Sequence, residues 1–171
     1  MSDDQPYFRF NPEAYEEGRS FKRSNETCGV CARPCVWQYS GNIYAKEKPT
    51  VCARCIANGA LSQFLRSDYF SLHDINLEEA DPVLERELLE RTPGVACFNP
   101  FDWPVLDGKP LAFLGYGDNK SVLANGKAQA AIKLAFDDMG WEFEPATPTP
   151  YALVFKEIDG GARYRVAIDL D

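Results

Sequence analysis

The chain has 171 residues, 45% of them hydrophobic, and 18 Lys and Arg against 26 Asp and Glu give a formal net charge of −8. That is enough for one ordinary domain, or for a small module joined to a larger one. No apolar run nears the ~18–20 residues a membrane helix requires, and the charge argues against a broad nucleic-acid footprint, which needs clustered Lys and Arg.

The opening MSDDQPYFRF is acidic and lacks the basic and apolar regions of a secretory signal. A cytoplasmic location is therefore expected, where thiols stay reduced and a disulfide framework is not. Residues 6–18 read as an extended segment pinned by Tyr7, Phe8 and Phe10, and 19–27 as a polar link. Positions 28–55 then hold five of the six cysteines. Cys28 and Cys31 form one CxxC pair and Cys52 and Cys55 another, with 20 residues between the pairs. This spacing reads as one structural Zn2+ site. Each CxxC turn presents two thiolates, and four sulfurs complete a tetrahedron at ~2.3 Å from the ion. Gly29 gives the first turn a permissive backbone. The stretch WQYSGNIYA alternates aromatic and polar residues around Gly41, which predicts a short hairpin and so a zinc ribbon. A thioredoxin-type redox pair is the rival, but it belongs at a helix N-terminus in a βαβ pattern. Four thiolates leave no open coordination position, so the site would hold the fold and not catalyse. Cys35 could replace a ligand, stay free or form part of a redox switch, the favoured reading being a small partly buried residue near the site; Cys97 reads as a core or loop thiol without a catalytic partner.

Ile56, Ala60, Phe64 and Leu65 predict a helix running out of the second knuckle. A loop starts at Ser67-Asp68 and carries His73, read as a surface or satisfied core residue. The clearest helix lies within 77–94. Asp81-Pro82 opens it, Val83, Leu84, Leu88 and Leu89 form its apolar stripe, and Thr92-Pro93-Gly94 stops it. Glu85, Glu87 and Glu90 face water in this reading and are candidate partner contacts. LAFLG (111–115) predicts a strand. GYGDNK matches neither glycine-rich phosphate motif. A second helix spans 125–141, with Ala128, Ala131, Ile132, Ala135, Phe136 and Met139 on one side. Residues 142–150 read as a Pro/Thr linker, and 151–170 as a β-hairpin with a glycine turn. The fold class is α+β: an N-terminal segment and four-cysteine zinc ribbon over 1–66 joined to a body over 67–171, with two main helices and the C-terminal hairpin, the two parts expected to form one compact unit.

The order PYFRFNP, CxxC with YSGNIY, CARCIANG, RTPG and AFLG resembles the CbrC family of small bacterial proteins, associated with colicin tolerance. The resemblance implies a role in tolerating a protein toxin. It also implies a second metal set that this chain lacks: its positions fall at Leu106 and Asp107 and at Glu157 and Gly160, so one zinc is expected here, with Gly160 and Gly161 holding the turn. Three classes of function follow. A toxin-tolerance or immunity protein would meet a basic toxin domain, such as that of a nuclease, through its acidic surface. An adaptor would bind a cellular protein or, less favourably, nucleic acid through Arg19, Lys22, Arg23 and Arg33. An enzyme is the least supported, since no Ser-His-Asp, HExxH or Walker pattern is present.

Overall fold

A computed structural model describes residues 4–66 and 70–170; the start of the loop expected at Ser67-Asp68 lies outside them. The architecture is mixed α+β, as expected, with five helices and four small sheets among the described residues. The chain divides into two units, Met1–Asp74 with Pro82–Ala96, and Ile75–Asp81 with Cys97–Asp171.

In the first unit, β1 (Phe21–Arg23) pairs antiparallel with β2 (Trp37–Tyr39). The hairpin expected around Gly41 does not form. The partner of WQY comes from before the first knuckle, and Tyr39 folds back so that its ring occupies the space a Cβ on Gly41 would need. The opening segment packs onto this pair: Phe8 stacks on Phe21 at 5.4 Å, and Tyr15 meets Phe21 and Trp37 at 5.0 Å each. Phe8 and Phe10 are buried as expected, whereas Tyr7 is 60% exposed.

The second knuckle runs into helix, but as two short pieces, α1 (Ala53–Ala57) and α2 (Ala60–Leu65). Gly59, at φ +74°, breaks them, a left-handed conformation that glycine adopts without steric cost. α3 (Pro82–Arg91) begins at the expected proline. It packs with α1 and α2 and so belongs to the first unit, whereas the sequence grouped it with the C-terminal body. Side chains from distant parts of this unit converge on the RTPG turn. A Cβ on Gly94 would run into the Leu72 carbonyl and the Tyr39 hydroxyl. The Gly94 N–H donates to Tyr39 Oη (3.1 Å), whose O–H donates to the Asn42 carbonyl (3.1 Å). Asn11 Nδ2 donates to Ser20 Oγ (3.2 Å) and to the Pro93 carbonyl (3.4 Å), tying the opening segment to the same turn.

In the second unit, β3 (Ile75–Leu77) pairs parallel with β4 (Phe101–Trp103). β5 (Val105–Leu106) and β6 (Lys109–Pro110) form a small hairpin closed by Asp107 and Gly108, both at positive φ, the Asp-Gly turn that suits strand twist. β7 (Ala112–Tyr116), β8 (Ala152–Lys156) and β9 (Tyr164–Ile168) make a three-stranded antiparallel sheet, which contains the expected strand and C-terminal hairpin. The central strand β8 is buried at Ala152–Phe155, as its unbroken apolar run requires with neighbours on both edges. α4 (Lys120–Leu123) precedes α5 (Gly126–Asp138), whose Ala128, Ile132 and Phe136 are buried against the sheet. Asn125 Oδ1 caps α5 by accepting the Lys127 and Ala128 N–H groups. Residues 142–150, expected to be a linker, pack on this unit instead: Phe143 meets Phe136 at 5.3 Å, Thr149 is buried, and the Ala146 N–H donates to Gln129 Oε1 at 2.8 Å.

Candidate metal centre

The two CxxC turns are built differently. In the first, the Ala32 N–H closes on the Cys28 carbonyl (2.8 Å), and the left-handed residue is Ala32 (φ +55°), not Gly29. Gly29 is needed for contact. Its N–H donates to the Thr50 carbonyl (2.8 Å), and a Cβ there would sit 3.2 Å from the Pro49 Cβ. In the second turn, Cys52 stands in extended backbone just before α1, and the Cys55 N–H donates to the Cys52 carbonyl (3.0 Å). The Tyr39–Val51 backbone bond (2.9 Å) aligns the second turn with β2.

These elements bring the four sulfurs of Cys28, Cys31, Cys52 and Cys55 within 4.8 Å of one another. Cys28 lies 3.8 Å from Cys55, and Cys31 lies 3.8 Å from Cys52, so each turn reaches across to the other. A tetrahedron with ~2.3 Å metal–sulfur bonds has an edge of ~3.8 Å. Two edges of the sulfur cluster match that length, and the cluster can hold a metal. No disulfide joins them. Cys28, Cys52 and Cys55 are buried within the first unit's core, and Cys31 is half-buried. The second CxxC does stand at a helix start, as in the redox rival, but the helix is five residues long and its thiols lie against the other pair.

The surroundings act on the sulfurs unequally. The Cys52 N–H donates to the Cys28 sulfur at 3.4 Å. Burial pushes the Cys31 thiol up, but a backbone N–H from Arg33 and the neighbouring cysteine sulfurs outweigh it and bring it to about 7. Burial is the main cause that raises Cys52 and Cys55, groups that a cation would have to deprotonate. Arg54 was missed in the sequence, although it stands inside CARC. Its guanidinium hydrogen-bonds the Cys31 sulfur and lies 3.9 Å from Asp4. Cys35 is outside the cluster. It is fully buried, its sulfur is 3.7 Å from the Trp37 carbonyl, and burial pushes it up to about 12, so it stays a thiol. Cys97 is half-buried, in the second unit.

His73 takes a structural place. It is buried, and its Nε2 faces the Leu88 carbonyl (2.9 Å) and the Thr92 carbonyl (3.2 Å) at the end of α3. Two carbonyls accept only from an N–H, so Nε2 carries the proton. At Asp107 and Glu157, where the resemblance places further metal residues, Arg163 bridges two loops instead. Its guanidinium is 2.5 Å from Asp107 Oδ2 and 2.6 Å from Glu157 Oε1, and its backbone N–H donates to Glu157 Oε2 (2.8 Å). The β8–β9 turn has Asp159 and Gly160 at positive φ, while Gly161 lies against Glu157 with no room for a Cβ.

The candidate acidic contacts do not form one face. Glu87 and Glu90, three apart, are helical neighbours, whereas Glu85 points ~200° away from Glu87. All three are half-buried, and Glu87 pairs with Arg9 at 3.5 Å. Val83, expected in the apolar stripe, is 74% exposed.

Fold and site define a small α+β protein whose N-terminal core is organised around four cysteines able to hold a metal ion. The chain belongs to the Uncharacterised protein family (UPF0167), whose model matches residues 5–153. It is 30% identical over 151 residues to the UPF0167 protein PA1536 of Pseudomonas aeruginosa, covering 83% of this chain and 82% of that one. The UPF0167 protein Mb2317 of Mycobacterium bovis is 31% identical over 113 residues, 64% of this chain and 59% of its own length. No solved structure matches the chain.

Proposed function

We propose that this is a non-catalytic binding protein whose first unit is held together by one zinc ion on Cys28, Cys31, Cys52 and Cys55. The observation that carries the reading is the sulfur geometry: two cross-pairs at 3.8 Å in a buried cluster. An all-thiolate donor set selects zinc or iron over harder ions, and four ligands leave no position for substrate. Metal analysis of protein purified under reducing conditions should find one zinc per chain. An iron spectrum, or zinc retained in full by Cys52→Ser, would overturn the assignment.

The particular function we propose is tolerance of, or immunity to, a bacterial protein toxin in the cytoplasm, by binding a basic toxin domain. It is supported by the resemblance to the CbrC family and by the net charge of −8, which favours fast encounter with a phosphate-gripping domain. The test is co-expression with nuclease toxins, together with direct binding in low and high salt. Protection and salt-sensitive binding are expected, and neither with any toxin sinks the reading. The zinc-ribbon adaptor is the second reading. Its basic patch is already partly engaged, since the Arg23 guanidinium lies 4.0 Å over the Trp37 ring, and retarded migration of RNA or DNA at moderate salt would favour it.

A further inference from the structure

We infer a second site in the first unit, beyond the metal centre and the toxin reading: a cleft that binds a small organic anion bearing carboxylate or phosphate groups beside an apolar part. A cavity of about 430 Å³ opens between the N-terminal segment, the end of α1 and α3. This is within the ~300–1,000 Å³ range of ligand pockets. Arg9, Arg86 and Arg91 line it, with Glu87 as the one carboxylate among the described lining residues. Three guanidiniums against one carboxylate leave a local charge of +2 on a chain whose net charge is −8.

Like charges gathered in a concave surface repel one another and focus a field that draws in an anion. Only Arg9 has a carboxylate partner, Glu87 at 3.5 Å; among the described residues Arg86 and Arg91 make no ion pair. Both are exposed, so their planar forks are open to a bidentate carboxylate or phosphate. Arg91 is held over the α1–α2 junction, where a Cβ on Gly59 would lie 3.4 Å from its Nε. Most of the remaining lining is apolar. Phe8, Ala57, Pro82 and Val83 line it beside Tyr7. Tyr7 (60% exposed) and Val83 (74% exposed) leave aromatic and aliphatic surface facing water, which a ligand carrying only charge would not use. Glu87 is the built-in competitor, because it occupies Arg9.

The test uses two probes on the zinc-loaded chain, phenylphosphate and phthalate, which join an aromatic ring to one phosphate or two carboxylates. Calorimetry and amide shifts should show saturable binding of at least one probe, with Kd below about 1 mM, and the probe that binds tells phosphate from carboxylate. Arg86→Gln changes an exposed side chain and should weaken binding at least tenfold at unchanged zinc content and melting temperature. Glu87→Gln should tighten it several-fold by freeing Arg9, a gain that a purely structural role for α3 would not produce. Lys48→Gln, at an exposed position elsewhere in the unit, should change nothing. Non-saturable shifts with both probes, unchanged affinity in Arg86→Gln, or an equal loss in Lys48→Gln would overturn the proposal.

Discussion

Cys31 and Cys35 are four residues apart, yet their sulfurs have different fates. Cys31 joins three other thiols, while Cys35 is fully buried outside that cluster as a protonated, core-filling group. Replacing any of Cys28, Cys31, Cys52 or Cys55 with Ser should therefore release the metal and unfold the first unit, because metal affinity is folding energy for such a site. Cys35→Ser should keep the metal and cost about 1–2 kcal/mol, the burden of a buried hydroxyl in place of a thiol. Zinc content and urea unfolding of the five variants separate the two outcomes. His73 gives a pH dependence of known sign. Burial holds its pKa at about 4 against 6.5 in the open chain, so it folds neutral. Its contribution is intact above pH 6.5 and is lost as pH falls toward 4, on the order of 3 kcal/mol in all. His73→Gln keeps an N–H for the Leu88 carbonyl and removes the titration. The stability difference between parent and variant, followed from pH 7 to 4, should shrink accordingly; a constant difference would contradict it.

At the level of elements, α3 is placed by its end. The RTPG turn is clamped by the His73 imidazole on the Leu88 and Thr92 carbonyls, by Asn11 on Pro93 and by Tyr39 on the Gly94 N–H. Gly94→Ala would push a methyl into the Leu72 carbonyl, where backbone cannot yield cheaply. A loss of about 2–4 kcal/mol is expected from denaturant unfolding. The second unit's loops are joined by charge. Arg163 holds the Glu157 carboxyl down to about 2, first by its side-chain hydrogen bonds. That contribution is present above pH 4.5 and is lost as pH falls toward 2. Because the pair is exposed, salt should weaken it. Carboxyl NMR titration should find Glu157 moved up toward the ordinary range in Arg163→Gln, but still below it, because the backbone N–H of residue 163 keeps donating to Glu157 Oε2.

For the molecule as a whole, each unit contains a buried cluster of its own. The first contains the cysteine cluster. The second is packed from Val122, Ala128, Ile132, Phe136, Ala152 and Val154, with Trp103 and Phe155 in edge contact at 5.0 Å. Stripping the metal with a strong chelator should then melt the first unit and leave a folded second unit. In a two-dimensional amide spectrum, residues of Met1–Asp74 and Pro82–Ala96 should collapse to unfolded positions while those of β7–β9 and α5 keep their dispersion. Loss of every signal together would show that the second unit depends on the first.

Several features could be read without any structure, and each had a local cause. The two CxxC pairs announce their chemistry through spacing, and α3 and α5 announce themselves through helical periodicity bounded by proline, asparagine and glycine. The C-terminal hairpin follows from two apolar runs around a glycine turn. The tertiary structure alone decided the pairings between distant residues. β2 takes β1 and not its own continuation, β3 runs parallel to a strand 26 residues later, and α3 joins α1 and α2. Gly94 is required by a carbonyl 22 residues earlier in the chain, while the arginines at 9, 86 and 91 come to line one cleft. Local sequence fixes backbone preference and which face is apolar; which faces meet is settled by the entropy and packing of the whole chain, and no short stretch carries that information.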